Sequence, residues 1–127
     1  MKYLGVDFGI RRVGLALSEG ELATPYKILR GKNVKEVAEK VYQVAVQENF
    51  DILVVGMPER RMGKITAGFV KDLKKLGLNV ETADETLSTQ NASKLMIEMG
   101  IPQKKRRAND AQAAAEILQN YLDQLKI

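Results

Sequence analysis

Apolar residues alternate with polar or small residues at the start of the chain, and the period then changes to that of a helix. Residues 2–8, 12–18 and 22–29 predict three strands, the first two joined by a turn at residues 9–11. Residues 33–49 carry valines and alanines at i, i+3, i+4 and i+7, which is one face of an amphipathic helix. The pattern therefore predicts an antiparallel region followed by a helix.

The second half of the chain alternates strand and helix patterns. The run of residues 51–56 is continuously apolar, as in a parallel strand buried on both faces, and residues 78–83 predict another strand. Helices are predicted over about residues 64–76, with Leu76 on the inner face, over residues 88–100, and from about residue 109 onward, with Leu125 on the inner face. This order predicts an α/β fold with a mixed five-stranded sheet, three antiparallel strands then two parallel ones, and helices on both faces.

Acidic residues stand where two of the predicted strands end. Asp7 lies near the end of the first strand with glycines beside it on the same face, and Asp84 and Glu85 follow the last strand. Ligands of such sheets bind beyond the carboxyl ends of the parallel strands. We therefore expect these residues on one rim, where the last helix can add Asp110.

Each of these acids also has a purely structural interpretation. Asp7 could cap a hairpin turn, and Asp84 and Glu85 could be stabilised by the positive end of the next helix dipole. Asp110 could be an ordinary first-turn acid after an N-cap at Asn109. Their convergence on one rim favours a divalent cation among them, because clustered carboxylates repel one another.

Composition narrows the chemistry of such a site. The 127 residues are expected to form one domain, residues 1–127, and they include no Cys and no His. Disulfides, thiolate ligands and a histidine base are therefore excluded, and a metal would be a hard cation such as Mg²⁺ or Mn²⁺ that activates water. We expect no signal peptide and no membrane span, and we therefore expect a cytoplasmic location.

Basic residues are concentrated near the predicted acidic rim. The net charge is +4, and many of the 20 Lys and Arg residues fall in three short segments. A solvated basic surface is one interpretation. The other is contact with nucleic-acid phosphates beside the metal. The candidate phosphate contacts are Arg11, Arg12, Arg60, Arg61, Lys64, Lys104, Lys105, Arg106 and Arg107.

A set of short motifs along the whole chain resembles the YqgF/RuvX family, the RuvC-like branch of the RNase H-like superfamily. Its members are described as Holliday junction resolvases or pre-16S rRNA nucleases. Each motif is weak alone, but their order and spacing make a strong match. The motifs are GVDFGIRRVGLALSE (5–19), ATP (23–25), VVGMPERRMG (54–63), DETLST (84–89) and NDAQAAAEILQNYL (109–122).

The resemblance implies an RNase H-like fold with Asp7, Glu85 and Asp110 as catalytic, metal-binding acids. It also implies one or two Mg²⁺ or Mn²⁺ ions and hydrolysis of phosphodiester bonds. Thr86 stands where the family often has Arg, and Glu19 stands where Asp is frequent. These departures leave the three acids in place, but they bear on substrate preference.

Several functions stay open on the sequence. The favoured one is a metal-dependent endonuclease on structured nucleic acid, acting at the 5′ end of pre-16S rRNA in ribosome biogenesis. The alternatives are a Holliday junction resolvase in DNA recombination or repair, a ribosome-assembly factor with little catalytic activity, and an ATP-binding domain like those of actin and Hsp70. The expected partner is structured RNA or branched DNA, with no membrane, and the chain is expected to be a monomer or homodimer.

Overall fold

The computed structural model describes residues 1–57, 61–84 and 110–125. The helix expected over residues 88–100 lies outside the described residues. None of the helices in these three segments is long and apolar enough to cross a membrane.

Five strands and three helices form the described part of the chain. The strands are β1 (Tyr3–Phe8), β2 (Arg12–Ser18), β3 (Thr24–Arg30), β4 (Ile52–Met57) and β5 (Val80–Asp84). The helices are α1 (Val34–Gln47), α2 (Arg61–Lys75) and α3 (Asp110–Leu125). The α2 helix begins three residues before the predicted start.

The strands form one mixed sheet in the order β3-β2-β1-β4-β5. The pairs β1–β2 and β2–β3 are antiparallel, and β4 pairs in parallel with both β1 and β5. The predicted α/β architecture is thereby confirmed. Pro25 lies on the edge strand β3, next to a register shift at Leu15/Ala16, where a missing N–H donor costs little.

Alternation along the strands gives the sheet two faces, each covered by helices. On one face, Leu4, Val6 and Phe8 pack with the buried residues of α1 and α2, and the Phe8 ring stacks on Phe69 with centroids 4.3 Å apart. On the other face, Tyr3 and further strand residues pack against α3. The prediction of helices on both faces is confirmed, and it places Asp7 on the α3 side.

Two residues predicted on inner helix faces are instead exposed. Leu76 follows the end of α2 and is 45% exposed, and Leu125 lies in the last turn of α3 and is 55% exposed. Both predictions were wrong because they continued the helical spacing of apolar residues beyond the last helical turn that packs on the sheet, which is the turn of Leu73 in α2 and of Leu122 in α3. Ile117, which the same period left out, is buried.

Glycines let α3 lie directly on the sheet. A Cβ atom at Gly14 would come within 2.2 Å of the Asp110 carbonyl oxygen, and one at Gly5 would come within 2.8 Å of the Ala114 carbonyl oxygen. Any larger residue would push the helix backbone away. The close approach therefore fixes the start of α3 over β2.

We expect Gly14→Ala to lower the free energy of unfolding by about 1–3 kcal/mol, because the added methyl group meets helix backbone that cannot yield locally. Gly68→Ala is the matched control. Gly68 lies within α2, and a methyl group added there would meet nothing within 4 Å, so this change should raise the free energy by up to about 1 kcal/mol. Urea denaturation measures both, and a Gly14→Ala protein as stable as the wild type would contradict the packing described.

Candidate metal and nucleic-acid site

Asp7 lies near the C-terminal end of β1, on the face that α3 covers. It is half-buried, and its partner in the antiparallel register is Gly14 on β2. A carboxylate in an otherwise apolar strand is costly to bury unless polar or charged groups surround it. Asp7 therefore marks the point where the buried sheet opens to a polar cleft.

Asp110, the first residue of α3, lies over the same end of the sheet as Asp7, on the face that α3 covers. Its carbonyl oxygen is the atom that a methyl group on Gly14 would meet. Since Gly14 is the register partner of Asp7, the start of α3 lies over the strand next to Asp7. The glycine contact thus brings together two acids that are separated by most of the chain.

These two acids line one open cleft of about 720 Å³ at the end of β1. The turn between β1 and β2 forms one wall, and the ends of β3 and α3 complete it. The described lining residues are Asp7, Phe8, Gly9, Ile10, Arg11, Arg12, Arg30 and Asp110. The cleft therefore combines carboxylates with three arginines.

Arg12 and Asp110 form an ion pair within this cleft. The Arg12 Nε atom lies 2.6 Å from Asp110 Oδ2, and the two side chains are only 31% and 24% exposed. Burial raises the pKa of Asp110 above its ordinary value of 3.8, although the positive charges of Arg12 and Arg30 act to lower it. The arginines thus only partly offset the cost of burying this carboxylate.

Arg30 is a cleft residue that was not predicted from the sequence. It lies at the end of β3, opposite Arg12 in the strand register, and its side chain is exposed. The Gly31 N–H donates to the Arg11 carbonyl oxygen over 3.0 Å, which ties the end of β3 to the β1–β2 turn. Antiparallel pairing of the second and third predicted strands would have placed Arg30 opposite Arg12. The sequence did not show the connection between these strands that sets their register.

The structure brings some of the predicted site residues together and leaves others outside its description. Asp7, Asp110, Arg11 and Arg12 all line the cleft, whereas Lys64 is exposed on α2 and is not among the described lining residues. Among the described residues, no three acidic side chains gather closely enough to hold a metal ion. The remaining candidates, which lie outside the described residues or at their border, are Glu85, Arg60, Arg61, Lys104, Lys105, Arg106 and Arg107.

The donor chemistry of the cleft fits a hard divalent cation. Its two acids offer carboxylate oxygens, and the chain has no Cys or His to attract a softer metal. The β5 strand is parallel to β4, and β4 is parallel to β1, so β1 and β5 end at the same edge of the sheet. Glu85 is the residue that follows β5, which ends at Asp84.

Sequence comparison relates the whole chain to one family. The family profile described as "RuvX: Holliday junction resolvase" matches residues 1–124. A protein of Endomicrobium trichonymphae is 32% identical, with 96% of this chain and 95% of the relative covered. One of Bacillus cytotoxicus is 34% identical, with 97% and 98% covered. Both relatives carry the name "Putative pre-16S rRNA nuclease".

Solved structures share the fold at low sequence identity. The fowlpox virus resolvase in complex with Holliday junction DNA matches with a TM-score of 0.63 at 17% identity, over 98% of this chain and 99% of that one. Thermus thermophilus RuvC with its Holliday junction substrate matches with a TM-score of 0.59 at 17% identity, over 96% and 93%. The prediction of an RNase H-like fold is thereby confirmed.

The raised pKa of Asp110 has a consequence for stability without metal. Its ionised form is less favourable in the folded chain than in the unfolded one, so its contribution to stability is present below pH 3.8 and lost as pH rises through the raised value. We therefore expect Asp110→Asn, at pH 7 in a chelator, to melt at the wild-type temperature or higher. A lower melting temperature would support the simple role of a stabilising first-turn acid.

Proposed function

The chain belongs to the RuvX family, and from this membership and its cleft we propose that it is a metal-dependent endonuclease that hydrolyses phosphodiester bonds in structured nucleic acid. The observation that carries the proposal is the meeting of Asp7 and Asp110 in one cleft through the contact of α3 with Gly14. These acids come from distant parts of the chain, and the other charged residues described in the cleft are arginines.

We propose Asp7, Asp110 and Glu85 as the catalytic acids and as the ligands of Mg²⁺ or Mn²⁺. Such a cation, when bound, activates water for attack on the phosphorus and stabilises the charge on the leaving oxygen. Asp7 presents its carboxylate from a strand, and Asp110 presents its own from a helix start held by backbone contact. Rigid elements of this kind hold ligands in place better than loops do.

The basic wall of the cleft is proposed to bind the phosphates that flank the cleaved bond. Arg11 and Arg30 are exposed, and they lie on opposite sides of the hydrogen bond that joins the β1–β2 turn to β3. Contacts of this type set the position of the nucleic acid without reading its sequence. The remaining basic candidates would extend this surface, namely Arg60, Arg61, Lys64, Lys104, Lys105, Arg106 and Arg107.

We propose the 5′ end of pre-16S rRNA as the substrate, acted on in the cytoplasm. The relatives named for this activity match nearly the full chain at 32% and 34% identity. The proteins with Holliday junction DNA match at 17% identity, which supports the fold alone. An ATP-binding actin-like role is set aside, because the family match covers residues 1–124.

Cleavage of Holliday junctions is the second candidate, and the family's own description favours it. A junction has two strands to cut, so this activity calls for a homodimer with two symmetric active sites. A panel of a four-way DNA junction and a 5′-extended 16S rRNA precursor, each with Mn²⁺ or Mg²⁺, separates the candidates. Binding of RNA without cleavage in any divalent metal would favour an assembly factor.

We expect Asp7→Asn to abolish cleavage of whichever substrate the wild type cuts, by at least about 100-fold, because the change removes a charged ligand of the cation. Circular dichroism and thermal melting should show an intact fold. Glu39→Gln, an exposed change of the same kind on α1, is the control and should cut normally. If Asp7→Asn cuts as well as wild type, the site is assigned wrongly.

Arg30→Gln should weaken nucleic-acid binding and reduce the slope of log K against log[salt] by about 0.7–0.9, the loss of roughly one phosphate contact. Lys71→Gln removes the same charge from an exposed position of α2 that is not among the described lining residues of the cleft. Fluorescence anisotropy at several salt concentrations measures both slopes. Equal slopes for the two variants would show that Arg30 makes no phosphate contact.

A further inference from the structure

Arg12 contacts the carboxylate of Asp110, which is one of the two acids that line the cleft. We propose that Arg12 is a positioning residue, that its guanidinium holds Asp110 while no metal is bound, and that a divalent cation binds by displacing this guanidinium from Asp110. The inference rests on the proposed function, because it takes Asp110 as a metal ligand. It adds an order of events in which metal binding frees an arginine within the cleft.

Both partners of the ion pair are held by backbone structure. Arg12 is the first residue of β2 and pairs in register with Arg30 of β3. Asp110 is fixed by the contact of its carbonyl group with Gly14. The 2.6 Å contact between Arg12 and Asp110 is charge-assisted, and it joins side chains that are mostly shielded from water. The pair therefore differs from a flexible surface ion pair, which contributes little.

Loss of Arg12 would leave Asp110 partly buried without its ion-pair partner. Removing Arg12 is destabilising, because the short Asp110 side chain is held by its backbone and its charge stays out of water, whereas the longer Arg12 side chain can reach water when Asp110 is neutralised. In metal-free protein, Arg12 thus keeps the start of α3 in place over Gly14. A bound cation would compensate the same carboxylate and make this role of Arg12 unnecessary.

Two cations that share one carboxylate repel each other strongly at the short distances involved. Metal binding therefore favours release of the Arg12 guanidinium. The released group remains in the cleft beside Arg11 and Arg30, where it can bind a substrate phosphate. A merely structural ion pair would instead stay closed and would not respond to metal.

The test uses the full chain without nucleic acid, in a chelator and in a Mn²⁺ titration. We expect Arg12→Gln to melt at a lower temperature than wild type in the chelator, and the difference to shrink in saturating Mn²⁺. Calorimetry should show that Arg12→Gln binds Mn²⁺ about threefold more tightly than the wild type, or more, because the guanidinium that competes for Asp110 is gone. Arg11→Gln removes the same charge from the exposed neighbouring position and should change the Mn²⁺ affinity less.

Two further variants secure the interpretation. In a chelator, the double variant Arg12→Gln/Asp110→Asn should melt no lower than the wild type, in contrast to Arg12→Gln alone, because no carboxylate is left without its partner. Arg12→Lys keeps the charge but loses the Nε–H donor, and its Mn²⁺ affinity should lie between those of the wild type and of Arg12→Gln. This variant serves the same comparison if Arg12→Gln does not fold.

The outcomes separate this inference from the proposed function. Wild-type protein that binds no Mn²⁺ would overturn both the metal site and the role of Arg12. Normal wild-type binding would overturn the role of Arg12 alone if Arg12→Gln bound Mn²⁺ no more tightly than Arg11→Gln does. A melting difference that Mn²⁺ leaves unchanged would also overturn it.

Discussion

The contact of α3 with the sheet at Gly14 is the constraint on which the cleft depends. At this point the Asp110 carbonyl group occupies the space that any side chain at position 14 of β2 would take. The contact sets both the height of the helix and the place where it starts. Gly14 is also the register partner of Asp7. The close packing of α3 on Gly14 therefore brings Asp110 near Asp7. The chemistry of the cleft is thus a consequence of close packing.

The cleft concentrates unfavourable charge that the rest of the fold has to support. Asp110 is partly buried at a cost that Arg12 and Arg30 only partly offset, and Asp7 is a half-buried acid near the end of an otherwise apolar strand. Functional sites commonly lower stability in this way. The two packed faces of the sheet supply the compensating stability, with an aromatic stack between Phe8 and Phe69 directly behind the acidic end of β1.

Hydrophobic periodicity predicted the strands and the described helices, because burial imposes one pattern on a strand and another on a helix. It also placed Asp7 on the correct face of β1, since alternation needs no knowledge of partners. Arg30 was missed because its place in the cleft depends on the register between β2 and β3. The ion pair of Arg12 with Asp110 was missed because it depends on how closely a helix approaches a sheet. The grouping of Glu85 with the other acids remains a prediction.

The most direct measurement is a crystal structure of the protein grown with Mn²⁺, with the ion located by its anomalous scattering. We predict a peak in the cleft, within about 2.2 Å of a carboxylate oxygen of both Asp7 and Asp110. We further predict that the Arg12 guanidinium no longer contacts Asp110 in that crystal. A cleft without a peak, or an ion that binds elsewhere on the chain, would contradict the metal site on which the proposed function rests.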